Sequence, residues 1–119
     1  MKLGIIHVDD DRRFCEESER LAQALGLTYW QCNSLVDLRN ALEKHKAQIY
    51  LLDTHFPGKP NEKSVLLAEQ SVACIRSKDP SARICIYAQM DFADLARSLG
   101  VEYCRRDGSN MISSIANTL

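Results

Sequence analysis

No Cys-x-x-Cys pair occurs in the 119 residues, although five cysteines are present: Cys15, Cys32, Cys74, Cys85 and Cys104. Their odd number and wide separation exclude a thiol redox motif and a zinc knuckle. Cys74, Cys85 and Cys104 lie beside apolar residues, where a free thiol behaves as a small buried hydrophobe. Reduced thiols point to the cytoplasm. A long apolar run is lacking too. Near the amino terminus only Leu3 to Val8 precede the acidic residues, too short a stretch for a signal peptide or a membrane span. Charge of one sign is also missing: 15 basic against 16 acidic residues leave a net charge of −1. That balance gives no reason to expect nucleic acid or an anionic membrane as partner. The three histidines show no i, i+4 spacing and do not make a zinc site. Repeats, low-complexity tracts and linkers are absent, so residues 1–119 read as one domain.

What is present is an ordinary globular composition, 45% hydrophobic and 26% charged, with enough chain to bury a core unaided. Short apolar runs alternate with helical patterns. Leu3 to Val8 precede a helix over Asp11 to Leu25, with Phe14, Ser18, Leu21, Ala22 and Leu25 on one face and Gly26 as its stop. Leu27 to Cys32 reads as a more polar edge strand, with Tyr29 and Trp30 packing there. Ser34 and Asp37 form a loose capping box for a helix carrying Leu38, Ala41, Leu42 and His45. Ile49 to Leu52 is a compact strand ending at Asp53. After the Pro57-Gly58 turn and a polar segment through Lys63, a helix is expected over Ser64 to Lys78, with Val65, Ala68, Val72 and Ile75 on one face. Ile84 to Ala88 is a fourth strand, and Asp91 to Asp94 cap a short helix that Gly100 stops. Val101 to Cys104 is a fifth strand, and Ile112, Ile115, Ala116 and Leu119 mark a last helix. This alternation predicts right-handed βαβ units, a parallel sheet and helices on both faces.

In such a sheet, ligands bind beyond the carboxyl ends of the strands. Asp9 and Asp10 follow the first strand and Asp53 ends the third, so neighbouring strands would bring three carboxylates together. Like charges there repel unless a cation joins them. A hard divalent ion with oxygen ligands meets that need, and Mg2+ suits it because it keeps waters and leaves room for a phosphoryl oxygen. A carboxylate beside such an ion can act as nucleophile toward a phosphoryl group. Asp11 reads as a helix cap.

Val8-Asp9-Asp10-Asp11 after the first strand, together with Leu51 to Gly58 (LLDTHFPG) after the third, resembles the response-regulator receiver family over essentially the whole chain. The resemblance implies an α/β, doubly wound five-stranded parallel sheet in the flavodoxin-like order 2-1-3-4-5. It implies Asp53 as phosphoacceptor and Asp9, Asp10, Asp53 and the backbone carbonyl of His55 as Mg2+ ligands. Ala88 falls where the family has Thr or Ser, and Gln89 where a small residue follows. The family's Lys falls near Arg106 or Asp107, and an arginine there is bulkier and planar. The polar segment at Lys59–Lys63 and the helix after it look longer than the family's by about a turn.

Ala88 offers no donor to sense a phosphoryl group, so conformational coupling is expected to be weak or rerouted. Gln89 crowds the pocket mouth. His55 either tunes phosphoryl lifetime or faces solvent. His7 reads as a satisfied sheet histidine, and Arg12-Arg13 as solvent-facing. Arg105-Arg106 form either a partner surface or an exposed loop, and Tyr103 is offset by about one residue from the family's aromatic position. The resemblance implies a signalling protein, not an enzyme, with a histidine kinase or phosphotransfer protein and a downstream target as partners; a homodimer stays open. The alternative is a degenerate receiver that binds partners without phosphate. A haloacid-dehalogenase-type phosphatase needs an Asp two residues past the nucleophile, where this chain has His55. With no effector region, a single-domain regulator and an excised receiver both fit.

Overall fold

The computed structural model describes residues 2–107 and 110–119. Seven strands and five helices follow one another as β1 Lys2–Val8, α1 Arg12–Ala24, β2 Tyr29–Cys32, α2 Leu35–Lys44, β3 Lys46–Leu52, β4 His55–Pro57, β5 Ser64–Leu66, α3 Ala68–Lys78, β6 Ile84–Ala88, α4 Ala93–Leu99, β7 Glu102–Arg105 and α5 Ile112–Ala116. Five strands form a parallel sheet in the order β2-β1-β3-β6-β7. With the small β4–β5 pair set aside, this is the doubly wound order 2-1-3-4-5.

The two-residue period of the strands divides their side chains between two cores. Ile6, Val8, Tyr50, Leu52 and Ile84 face α2 and α3, packed with Leu38, Leu42, Val72 and Ile75. Ile5, Ile49, Leu51, Cys85 and Tyr87 face α1 and α5, packed with Ala22, Ile112 and Ile115. Because both faces are covered, the central strands are largely apolar toward their carboxyl ends, as parallel strands are. Helices α1 and α2 start where the sequence places their caps, whereas α4 starts after Phe92 with no side-chain cap, Asp91 accepting only from the Ala93 amide. Asp11 accepts from the Phe14 amide and Ser34 from the Asp37 amide.

Three expectations need correction. Helix α3 begins at Ala68, not Ser64: residues 64–66 pair antiparallel with residues 55–57 to form a hairpin. Val65 therefore stands half-exposed on that hairpin and does not line a helix face. The short apolar run Val65 to Leu67 fits a helix or a strand equally well, and the strand at His55 supplies the partner that decides it. Among the cysteines, Cys85 is buried, while Cys74 and Cys104 are only partly so and Cys15 and Cys32 are fully enclosed; all five are free.

Candidate functional site

Strands β1 and β3 are direct neighbours, with Val8 opposite Leu52 and the Asp53 amide donating to the Val8 carbonyl at 2.9 Å. Parallel register therefore ends both strands at one level. The residues that follow them, Asp9, Asp10 and Asp53, place carboxylate oxygens within 4.8 Å of one another. The sequence grouping of these three is what the fold produces.

Each carboxylate has a different setting. Asp9 is fully buried; its Oδ1 accepts from the Asp11 amide at 2.9 Å and its Oδ2 from Arg106 Nη1 at 2.8 Å. Burial pushes its carboxyl up, but His7, the Asp11 amide and the Arg106 guanidinium outweigh that and hold it below the usual range. Asp53 is half-buried and accepts from the Thr54 amide at 2.8 Å. Burial first, then the charge of Asp9, pushes its carboxyl up to about 7. Asp10 is exposed and accepts from the Ser64 hydroxyl at 2.7 Å. An all-oxygen, like-charged trio with one buried and one open member fits a hard divalent cation.

Asp53 opens onto a cleft of about 320 Å3 whose walls include Thr54, His55, Ala88, Gln89, Phe92 and Arg106. The residues singled out around the pocket mouth thus share one cavity. Ala88 ends β6 with 1% of its surface exposed and brings only a methyl group. The His55 ring is exposed, bonds through Nδ1 to the Thr54 hydroxyl at 2.9 Å and faces Phe92 at 5.9 Å.

Arg106 sends its side chain into the site, where Nη1 donates to Asp9, and it belongs to no exposed loop. It is 7% exposed, its amide bonds the Ala88 carbonyl, and its guanidinium lies 4.0 Å from the Phe14 ring centroid. That stacking uses the planar cation as a lysine could not. Arg105 stays exposed and reaches back to the Gln89 carbonyl, while Arg12 and Arg13 are exposed as expected. Tyr103 bonds the Met90 carbonyl through its hydroxyl at 2.9 Å.

His7 departs from the satisfied histidine expected. Its Nδ1 meets the Tyr29 hydroxyl at 2.6 Å, but the buried Nε2 has no hydrogen-bond partner among the described residues and lies 3.5 Å from Asp9 Oδ2. His7, Asp9 and Cys15 bring potential ligand atoms within 4.8 Å of one another, a grouping invisible in the sequence because Cys15 arrives from the first turns of α1. Burial and the neighbouring Asp9 push the Cys15 thiol up to about 12. All three residues are buried, with Cys15 Sγ 3.6 Å from the Asp9 carbonyl oxygen and Arg106 paired with the Asp9 carboxylate. Ser64 also escaped the sequence reading; the contact spans 54 residues and depends on the hairpin.

No protein-family model and no curated protein matches the sequence. The fold has clear likenesses among solved structures. The chemotaxis response regulator CheY4 of Vibrio cholerae is 12% identical, with a TM-score of 0.77 and all of both chains covered. The receiver domain of the Francisella response regulator 1452 is 11% identical, with a TM-score of 0.75 over 98% of this chain and 93% of that one. A Burkholderia pseudomallei response regulator, solved with a phosphorylated aspartic acid, calcium ion and citrate, is 18% identical, with a TM-score of 0.76 over 97% of this chain and 65% of that one. The chain has the fold of receiver domains.

Proposed function

We propose that this chain is a two-component signalling receiver, one domain over residues 1–119, that accepts a phosphoryl group on Asp53 from a histidine kinase or phosphotransfer protein and passes its state to a downstream target. The observation that carries this reading is the convergence of Asp9, Asp10 and Asp53 within 4.8 Å, with Asp53 open to a cleft. Asp9, Asp10, Asp53 and the His55 carbonyl would hold Mg2+, which would neutralise charge on the transferring group. In the transfer, an Asp53 oxygen forms a bond to phosphorus as the bond from phosphorus to the donor's imidazole nitrogen breaks. Asp53 must be ionised to attack, and the positive charge of Arg106 in the same cleft favours that form. His55 and Gln89 line the cleft beside Asp53 and would set the lifetime of the acyl phosphate there. Unpaired thiols suit a reducing compartment, and we place the chain in the cytoplasm. It works as a signalling module and not as a stand-alone enzyme.

One observation favours a second reading, a receiver that binds partners without phosphate. The Arg106 guanidinium already neutralises Asp9, the buried member of the trio. Incubation with Mg2+ and acetyl phosphate, followed by intact mass measurement, separates the two. A single phosphoryl increment that disappears in Asp53→Asn supports the phosphoacceptor. An unchanged mass, with no Mg2+-dependent spectral change, supports the second reading.

A further inference from the structure

The β4–β5 hairpin joins two members of the acidic trio. Strand β4 starts two residues after Asp53, and β5 opposes it with His55 against Leu66, Phe56 against Val65 and Pro57 against Ser64. The base is closed by the Leu67 amide, which donates to the Thr54 carbonyl at 2.9 Å, and Phe56 is sunk completely into the core. The Gly58 carbonyl accepts from the Val36 amide at 3.0 Å. At the free strand, Val65 and Leu66 are 48% and 52% exposed. At the loop end of the outer strand, opposite Pro57, sits Ser64, whose hydroxyl donates to Asp10 Oδ2 at 2.7 Å.

We infer that Ser64 is the positioning residue that reports phosphorylation of Asp53 to the hairpin, in the role that Ala88 leaves empty. This inference rests on the receiver reading above. A serine hydroxyl has one proton to donate. In the structure it goes to Asp10, whose carboxylate oxygens lie within 4.8 Å of those of Asp53. A cation bound to Asp10 draws charge from its oxygens and makes them poorer acceptors. A phosphoryl group on Asp53 would bring strong, charged acceptor oxygens to the neighbourhood of Asp10, whose carboxylate Ser64 bonds. The Ser64 hydroxyl then turns from Asp10 to a phosphoryl oxygen. The hydroxyl thus interacts differently with the two states of the pocket, which is the requirement for biasing an equilibrium. Ala88, with only a methyl group at the end of β6, has no such difference to offer. Because Ser64 belongs to β5, its movement is carried by Val65 and Leu66.

The test uses the isotopically labelled full chain, loaded with Mg2+ and beryllium fluoride, with amide resonances of His55, Val65 and Leu66 followed by NMR. Parallel samples treated with acetyl phosphate are weighed for the Asp53 adduct. The native chain is expected to form the adduct and to shift these resonances. Ser64→Ala is expected to form the adduct and to lose the hairpin shifts, and Ser64→Thr, which returns a hydroxyl, to recover them. Rescue by threonine separates this role from mere packing. Hairpin shifts in Ser64→Ala equal to the native ones would overturn the inference, as would a native adduct that leaves the hairpin unmoved; in either case Asp53 would stand as phosphoacceptor. Absence of an adduct in the native chain would overturn the receiver reading, and this inference with it.

Discussion

Arg106 and Asp9 form a buried ion pair, with exposures of 7% and 0%, and the guanidinium is further held against Phe14. Removing one partner of such a pair leaves a charge without compensation. Arg106→Ala is therefore expected to destabilise the protein by about 3–5 kcal/mol in chelator, read by urea unfolding. Mg2+ should recover more stability in this variant than in the native chain, because the ion takes over the neutralisation of Asp9. The pH response belongs to Asp53. Its carboxyl is pushed up to about 7 by burial and by Asp9, so the folded chain retains a proton that the unfolded chain releases near about pH 4. The Asp53 contribution is fully present below the unfolded value and is lost as pH rises through about 7. Asp53→Asn is expected to flatten that decline and to be more stable than the native chain at pH 7.5 without metal; urea midpoints at pH 5 and pH 7.5 check this. The three aspartates could be picked out in the sequence because each follows an apolar strand. Arg106 could be placed only as one of two candidates, because a loop residue after an edge strand has no periodic pattern to orient its side chain.

Strands β1 and β2 approach closely at Gly4. A Cβ there would stand 2.9 Å from the Thr28 carbonyl oxygen, and the Gly4 amide donates to the Thr28 hydroxyl at 2.7 Å. Backbone cannot swing aside as a side chain can, so Gly4→Ala is expected to cost about 1–3 kcal/mol, measured by denaturant unfolding, and to leave the acidic end of β1 in place. The helices were legible where a side chain closes their first turn, as Asp11 and Ser34 do. The hairpin was not. Residues 64–67 carry neither a glycine nor a proline, and they become a strand only because His55 to Pro57 lie alongside. The consequence reaches the site, since Ser64 in the first turn of a helix would have carried no expectation of meeting Asp10.

The whole molecule has a radius of gyration of 12.9 Å, close to the roughly 13.5 Å of a compact chain of this length. Its one five-stranded sheet backs both cores, so they cannot open independently, and unfolding is expected to be a single transition. Trp30 fluorescence and far-ultraviolet circular dichroism should therefore trace coincident denaturation curves; separate midpoints would show two cooperative units. Mg2+ at a hundredfold over its dissociation constant should stabilise the fold by about 2.7 kcal/mol, an increment that Asp53→Asn should largely lose. By itself the sequence determined the alternation of strands and helices, and which carboxylates follow strands, because apolar period and capping act over a few residues. Only the tertiary structure decided that Arg106 pairs with Asp9, that His7 meets Cys15, and that Ser64 meets Asp10. The first and last of those contacts join residues far apart along the chain, His7 and Cys15 come from a strand and a helix, and the geometry of all three exists only once these elements are packed together.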